Sequence, residues 1–158
     1  MKSATRLLPA CDDSGTIGRR PSSSYPIRSE FVEQRTILIV DDDPDFRSLL
    51  CAILKQGGYA TVTASDGAEG VETAKRITPD MILLDVQMPG LDGYEATAEI
   101  RKEASLDRTP IVLVTVQSKV AEIVRGLKLG ADDHVTKPFH PDEVLVRVNS
   151  LIERGRGV

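Results

Sequence analysis

From residue 36 onward, short apolar runs alternate with amphipathic stretches. Residues 36–40, TILIV, are a β-branched apolar run that predicts a strand. In DFRSLLCAILKQGGY, Phe46, Leu49, Leu50, Ile53 and Leu54 recur at helical spacing and Gly57-Gly58 is a stop. Residues 60–64, ATVTA, predict a second strand. DGAEGVETAKRI predicts a second helix, with Asp66 as N-cap and Ala68, Val71 and Ala74 inward. Residues 80–84, DMILL, predict the third strand, and DGYEATAEIRKEA a third helix of weaker amphipathic pattern. Residues 110–115, PIVLVT, predict the fourth strand. In VAEIVRGLKLG, Val120, Ile123, Val124 and Leu127 share one helical face and Gly130 closes the helix. Residues 133–136, DHVT, predict a short fifth strand. PDEVLVRVNSLIER predicts the last helix, opened by Pro141 and built on Val144, Leu145, Val148, Leu151 and Ile152.

Strand and helix thus alternate five times. The strands read as continuous apolar runs, which suits a parallel sheet covered on both faces. The fold class is an open α/β sandwich, and such sheets bind ligands beyond the carboxyl ends of their strands. Residues 1–35 are different. They are rich in Gly, Ser, Pro and charge and show no apolar period, a composition that cannot offset its own ordering entropy. The expected organisation is a disordered tail at 1–35, a domain at 36–154 and a short tail at 155–158. The first segment has six basic and four acidic residues, net +2, whereas the remainder has 14 and 20, net −6. Arg19-Arg20 reads as part of a solvated leader rather than a docking segment.

Composition narrows the function classes. A chain of 158 residues is sized for one domain with a real core. Aromatics at 4% without Trp argue against a stacking platform for single-stranded nucleic acid. A net charge of −4 argues against non-specific binding to nucleic acid or to an anionic membrane. No apolar run reaches bilayer length, and Leu7-Leu8 is too short for a secretory signal. A cytoplasmic protein is expected. Cys11 and Cys51 are too few for a disulfide framework, so two reduced thiols are expected, with Cys51 at the edge of a core stripe.

Several strands end in polar groups: the first at Asp41, Asp42 and Asp43, the third at Asp85, the fourth at Thr115, and the fifth at Lys137. In a parallel sheet these ends share one edge. Asp41, Asp42 and Asp85 together would repel strongly, so their pKa values rise or a cation sits among them. Hard carboxylate oxygens without His or Cys select Mg²⁺ or a similar ion. Asp85, alone at the end of the central strand, is the candidate nucleophile toward phosphorus, giving an acyl phosphate. Lys137 supplies a cation for phosphoryl charge and Thr115 a hydroxyl donor. Each signal alone has a plainer explanation; VDDDPD by itself would be an acidic helix-capping turn. The four-part order at successive strand ends carries the argument.

ILIVDDD, LLDVQMPGLDG, VLVT and GADDHVTKPF together resemble the receiver domain of two-component response regulators over about residues 36–154. The resemblance implies a flavodoxin-like, doubly wound (βα)5 sheet in the order 2-1-3-4-5 and a role in signalling rather than as an enzyme. It implies that Asp85 accepts a phosphoryl group from the phosphohistidine of a sensor histidine kinase. Asp42 and Asp85 would hold Mg²⁺, Asp41 would assist through water, and the Gln87 carbonyl would be a backbone ligand. Lys137 would contact phosphoryl oxygens, and the bond before Pro138 would be cis. Thr115 and residue 134 would form a switch that biases the surface of the fourth helix, fifth strand and fifth helix.

Three departures stand out. Position 134, usually Tyr or Phe in such domains, is His134, a planar substitute; titration near neutrality is the sharper reading. Val116 follows Thr115 where a small residue is common, and can narrow access to Asp85. Gln87 and Gln117 flank the expected water path, and neither is a base. Arg125, Asp132, Asp133, Glu143 and Arg147 resemble the interface charges of receivers that form homodimers through the fourth helix, fifth strand and fifth helix. A downstream effector is implied without being identified. Two alternatives stay open. One is a Mg²⁺-dependent phosphatase of the haloacid dehalogenase type using Asp41-x-Asp43, although Asp45 stands where that family wants Thr or Val. The other is a receiver-like binding module that works without phosphate.

Overall fold

The computed structural model describes residues 34–116 and 119–157, the side chains of 155–157 excepted. Expectations for residues 1–33 and for Gln117 therefore lie outside the described residues. The elements are β1 (Thr36–Val40), α1 (Pro44–Gln56), β2 (Ala60–Ala64), α2 (Gly67–Ile77), β3 (Met81–Asp85), α3 (Gly93–Ile100), a 3-10 turn (Ala104–Leu106), β4 (Ile111–Thr115), α4 (Val120–Leu129), β5 (Asp133–Thr136) and α5 (Pro141–Gly157). All strand pairings are parallel, in the order β2-β1-β3-β4-β5. This is the flavodoxin-like doubly wound architecture.

Local chemistry sets the element ends. The Asp43 carboxylate accepts from the Asp45 amide at 2.9 Å, and Pro44 opens α1 where no donor is needed. Asp66 caps α2 by accepting from the Glu69 amide. Asp92 and Glu95 form a reciprocal capping box on α3. Gly130, at φ 116°, terminates α4 in a conformation that side chains rarely adopt. The third strand is displaced by one residue from its expected range. Asp80 instead accepts the Thr36 amide at 2.8 Å, so Asp85 itself ends the strand.

Period-two alternation sends successive strand residues to opposite faces. Ile37, Ile39, Leu83, Val112 and Val114 pack in one layer with Leu50, Leu54, Val144 and Val148 of α1 and α5. Leu38, Val40, Ile82, Leu84 and Leu113 pack in the other, with Val71, Ala74 and Ile100. Each fully buried aliphatic side chain of this kind stabilises the fold by about 1.5–3 kcal/mol. Cys51 is buried in the first layer, at the core edge where its spacing placed it, and the expectation for Cys11 lies outside the described residues.

The helical stripes need correction in three places. Leu49 is exposed and Phe46 only half-buried, so α1 rests on Leu50, Cys51, Ile53 and Leu54. Ala68 faces solvent, and α2 packs through Gly67, Gly70, Val71 and Ala74. In α4, Val120 is 73% exposed, Val124 40% and Leu127 46%, and only Gly126 is buried. A Cβ at 126 would lie 2.6 Å from Leu113 Cδ1, so the helix makes a close approach to the sheet at this glycine. Apolar periodicity gives glycine no weight, and it therefore points to the wrong face.

Gly93 fixes how α3 leaves β3. A Cβ there would lie 2.4 Å from the Asp85 carbonyl oxygen and 2.7 Å from Val86 Cα, and its amide donates to the Val86 carbonyl at 2.9 Å. Gly93→Ala should lower unfolding free energy by about 1–3 kcal/mol through overpacking against backbone. A urea midpoint equal to that of the parent chain would contradict this.

Candidate functional site

Parallel pairing brings the carboxyl ends of β1, β3, β4 and β5 to one rim. Asp41 follows β1, Asp85 ends β3, Thr115 ends β4 and Lys137 follows β5. One ligand oxygen from each of Asp41, Asp42 and Asp85 lies within 4.8 Å of the others. The Lys137 ammonium Nζ donates to Asp41 Oδ2 at 3.1 Å and to Asp85 Oδ1 at 3.2 Å. Asp41 is 1% exposed and Asp85 4%, whereas Asp42 is exposed. Two carboxylates and an ammonium are therefore largely out of water, with a third carboxylate at the mouth.

Each member is held by backbone as well as by side chains. The Asp41 amide donates to the Ala64 carbonyl at 3.2 Å, and Asp41 Oδ1 accepts from the Asp43 amide at 2.9 Å. Arg47 Nη1 donates to the Asp41 carbonyl at 2.7 Å. The Lys137 amide donates to the Thr115 carbonyl at 2.8 Å, which ties the ends of β4 and β5, and the Lys137-Pro138 bond is cis. Thr115 is 5% exposed, and the adjacent Val116 is 54% exposed at the rim. Gln87 is exposed in the turn after β3. Asp43 belongs to a different task, since its carboxylate caps α1.

The electrostatics follow from three carboxylates facing one ammonium. Burial and the neighbouring Asp41 carboxylate push Asp85 up to about 6; Lys137 pulls it back down and Asp42 adds a smaller push up. Burial pulls Lys137 down, but Asp85 and Asp41 outweigh it and hold the ammonium above its ordinary range. One cation thus leaves the cluster short of positive charge. An all-oxygen set of this size fits a hard divalent ion.

His134 lies on β5, paired with Leu113, one strand from Thr115. Thr115, His134, Leu113, Tyr94, Ile123 and Leu127 line a gap of about 10 Å³ under α4, near the lower bound for a single water. The charges expected at an interface are paired within the chain. Arg147 Nη1 contacts both Asp133 oxygens, at 3.0 and 2.8 Å, and Arg147 Nε lies 3.5 Å from Glu143. Asp132 accepts from Arg101 and from the Ile111 amide. Arg125 stacks over the Tyr94 ring at 4.2 Å.

Two residues at the site escape the sequence reading. Arg47 supports the Asp41 backbone; a cation in the first turn of a helix runs against the macrodipole, and that was the available signal. Phe46 lies with its ring centroid 4.0 Å from Lys137 Nζ and 6.1 Å from the ring of Phe139. Two of the chain's three phenylalanines therefore stand at this rim.

The raised Asp85 value has a sign that can be tested. Between its ordinary value of 3.8 and about 6, the native state binds more protons than the unfolded chain, so this group's contribution to stability falls as pH rises through that window. Asp85→Asn should therefore stabilise the metal-free protein at pH 7.5, by about 1–2 kcal/mol after allowance for water at the rim. The gain should shrink toward pH 4. Paired thermal melts in chelator check it; a gain that does not grow with pH would contradict the assignment.

Residues 37–149 match the response regulator receiver domain family. The alkaline phosphatase synthesis transcriptional regulatory protein PhoP of Bacillus subtilis is 42% identical over 120 residues, which is 76% of this chain and 49% of that protein. The DNA-binding response regulator MtrA of Mycolicibacterium smegmatis is 35% identical over 121 residues, 77% of this chain and 52% of that one. The chain spans about half the length of these curated relatives. Among solved structures, the chemotaxis protein CheY4 of Vibrio cholerae aligns at TM-score 0.72 and 30% identity, over 75% of this chain and 98% of that one. A Pseudomonas aeruginosa sensor histidine kinase receiver domain, with magnesium coordinated in its active-site cleft, aligns at 0.71 and 33%, over 76% and 98%. Within the described residues no helix is long and apolar enough to cross a membrane. A matched family spanning most of the sheet, on the observed strand order and acidic rim, means that this chain belongs to the response regulator receiver domain family.

Proposed function

We propose that this receiver accepts a phosphoryl group on Asp85 from the phosphohistidine of a sensor histidine kinase in the cytoplasm. The observation that carries the reading is the contact of Lys137 with Asp41 and Asp85 beside the three-carboxylate cluster. An Asp85 carboxylate oxygen forms the new bond to phosphorus. The phosphorus–nitrogen bond of the donor breaks, and its electron pair returns to the imidazole ring. Lys137 follows the charge to a phosphoryl oxygen. Asp42, Asp85 and the Gln87 carbonyl would hold Mg²⁺, with Asp41 assisting through water. The ion supplies electrostatic neutralisation between the incoming phosphoryl group and the carboxylates.

The switch would run through Thr115 and His134. Loose packing under α4, where only Gly126 is buried, supports a second arrangement at small cost. Phosphorylation then biases the surface of α4, β5 and α5 by adding local charge. Val120, Val124 and Leu127 already present an apolar stripe there, which suits a homodimer or another output partner. In such a dimer Arg125, Asp132, Asp133, Glu143 and Arg147 would exchange their internal partners for reciprocal ones. DNA binding is named for a relative about twice the matched length; the net −6 of residues 36–158 argues against nucleic-acid contact by this part. The aspartate-phosphatase alternative needs Asp43 as a working acid, and its carboxylate caps α1.

The test is incubation with Mg²⁺ and acetyl phosphate followed by intact mass. One phosphoryl adduct, absent in Asp85→Asn, is the expected result. Turnover of free phosphate that survives Asp85→Asn and vanishes in Asp41→Asn would instead establish the phosphatase. Lys137→Ala should still fold but lose the phosphorylation-dependent change in sedimentation; an unchanged response would refute its coupling role.

A further inference from the structure

We propose that Phe46 is a positioning residue for phosphoryl transfer: its ring face holds the Lys137 ammonium over Asp85. The inference rests on the proposed function and extends it to a residue whose periodicity marked it as core. Phe46 does not behave as core. It is half-buried, and the buried face of α1 begins at Leu50. Asp43 as N-cap and Pro44 as first residue start the helix so that its first turn carries residue 46 to the rim.

At that rim the ammonium meets three neighbours. Asp41 and Asp85 accept hydrogen bonds at 3.1 and 3.2 Å, and the Phe46 ring covers a further side at 4.0 Å. That distance is well inside the range of cation–π attraction. The Lys137 side chain is 9% exposed. A lysine stem is flexible, so an ammonium that must reach incoming phosphoryl oxygens gains from a wall that limits its wandering. A ring does this without offering a hydrogen-bond acceptor. A third carboxylate would hold the ammonium more firmly and compete with the phosphoryl group. Phe46 is braced in turn by Phe139, at 6.1 Å and 56° between ring planes, two residues beyond Lys137. The bracing joins the first turn of α1 to the segment that carries the lysine.

The experiment compares the parent chain with Phe46→Leu, Phe46→Tyr and pentafluorophenylalanine at position 46. The leucine keeps apolar bulk without a π face, the tyrosine keeps the face, and the fluorinated ring keeps the shape with its charge distribution reversed. Acyl-phosphate formation from acetyl phosphate and Mg²⁺ is timed by intact mass, and urea midpoints show that each variant is folded. The Leu and pentafluoro variants should form the adduct about three- to tenfold more slowly, with Tyr near the parent. Without Mg²⁺, the Lys137 ε-methylene protons should show an upfield ring-current shift in the parent that Leu abolishes. Equal rates in all four proteins, with the adduct still on Asp85, would overturn the role of Phe46 alone. A parent chain that forms no adduct would overturn the proposed function and this inference together.

Discussion

Asp41 and Asp85 lie at the carboxyl edge of the sheet with almost no exposure, and one ammonium serves both. A buried charge that lacks a full partner is costly, and here three carboxylates face a single lysine. The surrounding structure reads as the support of that imbalance. Arg47 and the Asp43 amide hold Asp41, the short approach at Gly93 holds the Asp85 backbone, and the strand-end pairing of Thr115 with Lys137 brings the cation into range. A site held in this way is short of positive charge and has a mouth at Asp42. A divalent cation and a phosphoryl group between them would complete it.

The rim and the α4 face differ in how firmly they are held. The sheet around the acids is fully buried on both sides, and its strands ladder without interruption from β2 to β5. Helix α4 buries only Gly126 and leaves the apolar side chains of Val120, Val124 and Leu127 largely in solvent. In the proposed switch, a charge change at the rim would be answered by the element with least to lose, α4. The proposed link between them is short, since Thr115 and His134 sit on adjacent strands at the edge of the same small gap. At its far end α4 is pinned: Arg101 donates to the Gly130 carbonyl and to Asp132.

Much of this was legible in the chain. Continuous apolar strands and amphipathic intervals implied the open sheet, and strand order followed from the resemblance. Asp41, Asp85 and Lys137 at strand ends needed only parallel pairing to become a cluster, and the same pairing sets Thr115 on that rim. What was not legible depended on contact rather than period. Leu49 and Val124 have the spacing of core residues and lie outside, because Cys51 and Gly126 make the close approach instead. Phe46 has the same spacing and serves the rim. Asp43 stands beside two acids of the cluster, but its side chain turns to an amide of its own helix. The interface charges found partners within the chain, a pairing that no spacing in the sequence distinguishes from a pairing between copies.

The central claim is that the acids at this rim form one hard-cation site. Crystals soaked in Mn²⁺ and measured at an anomalous wavelength test it directly. The account predicts a single strong peak in bonding distance of Asp42 and Asp85 carboxylate oxygens. A protein that shows no peak there at saturating Mn²⁺, or one bound elsewhere on its surface, would contradict it.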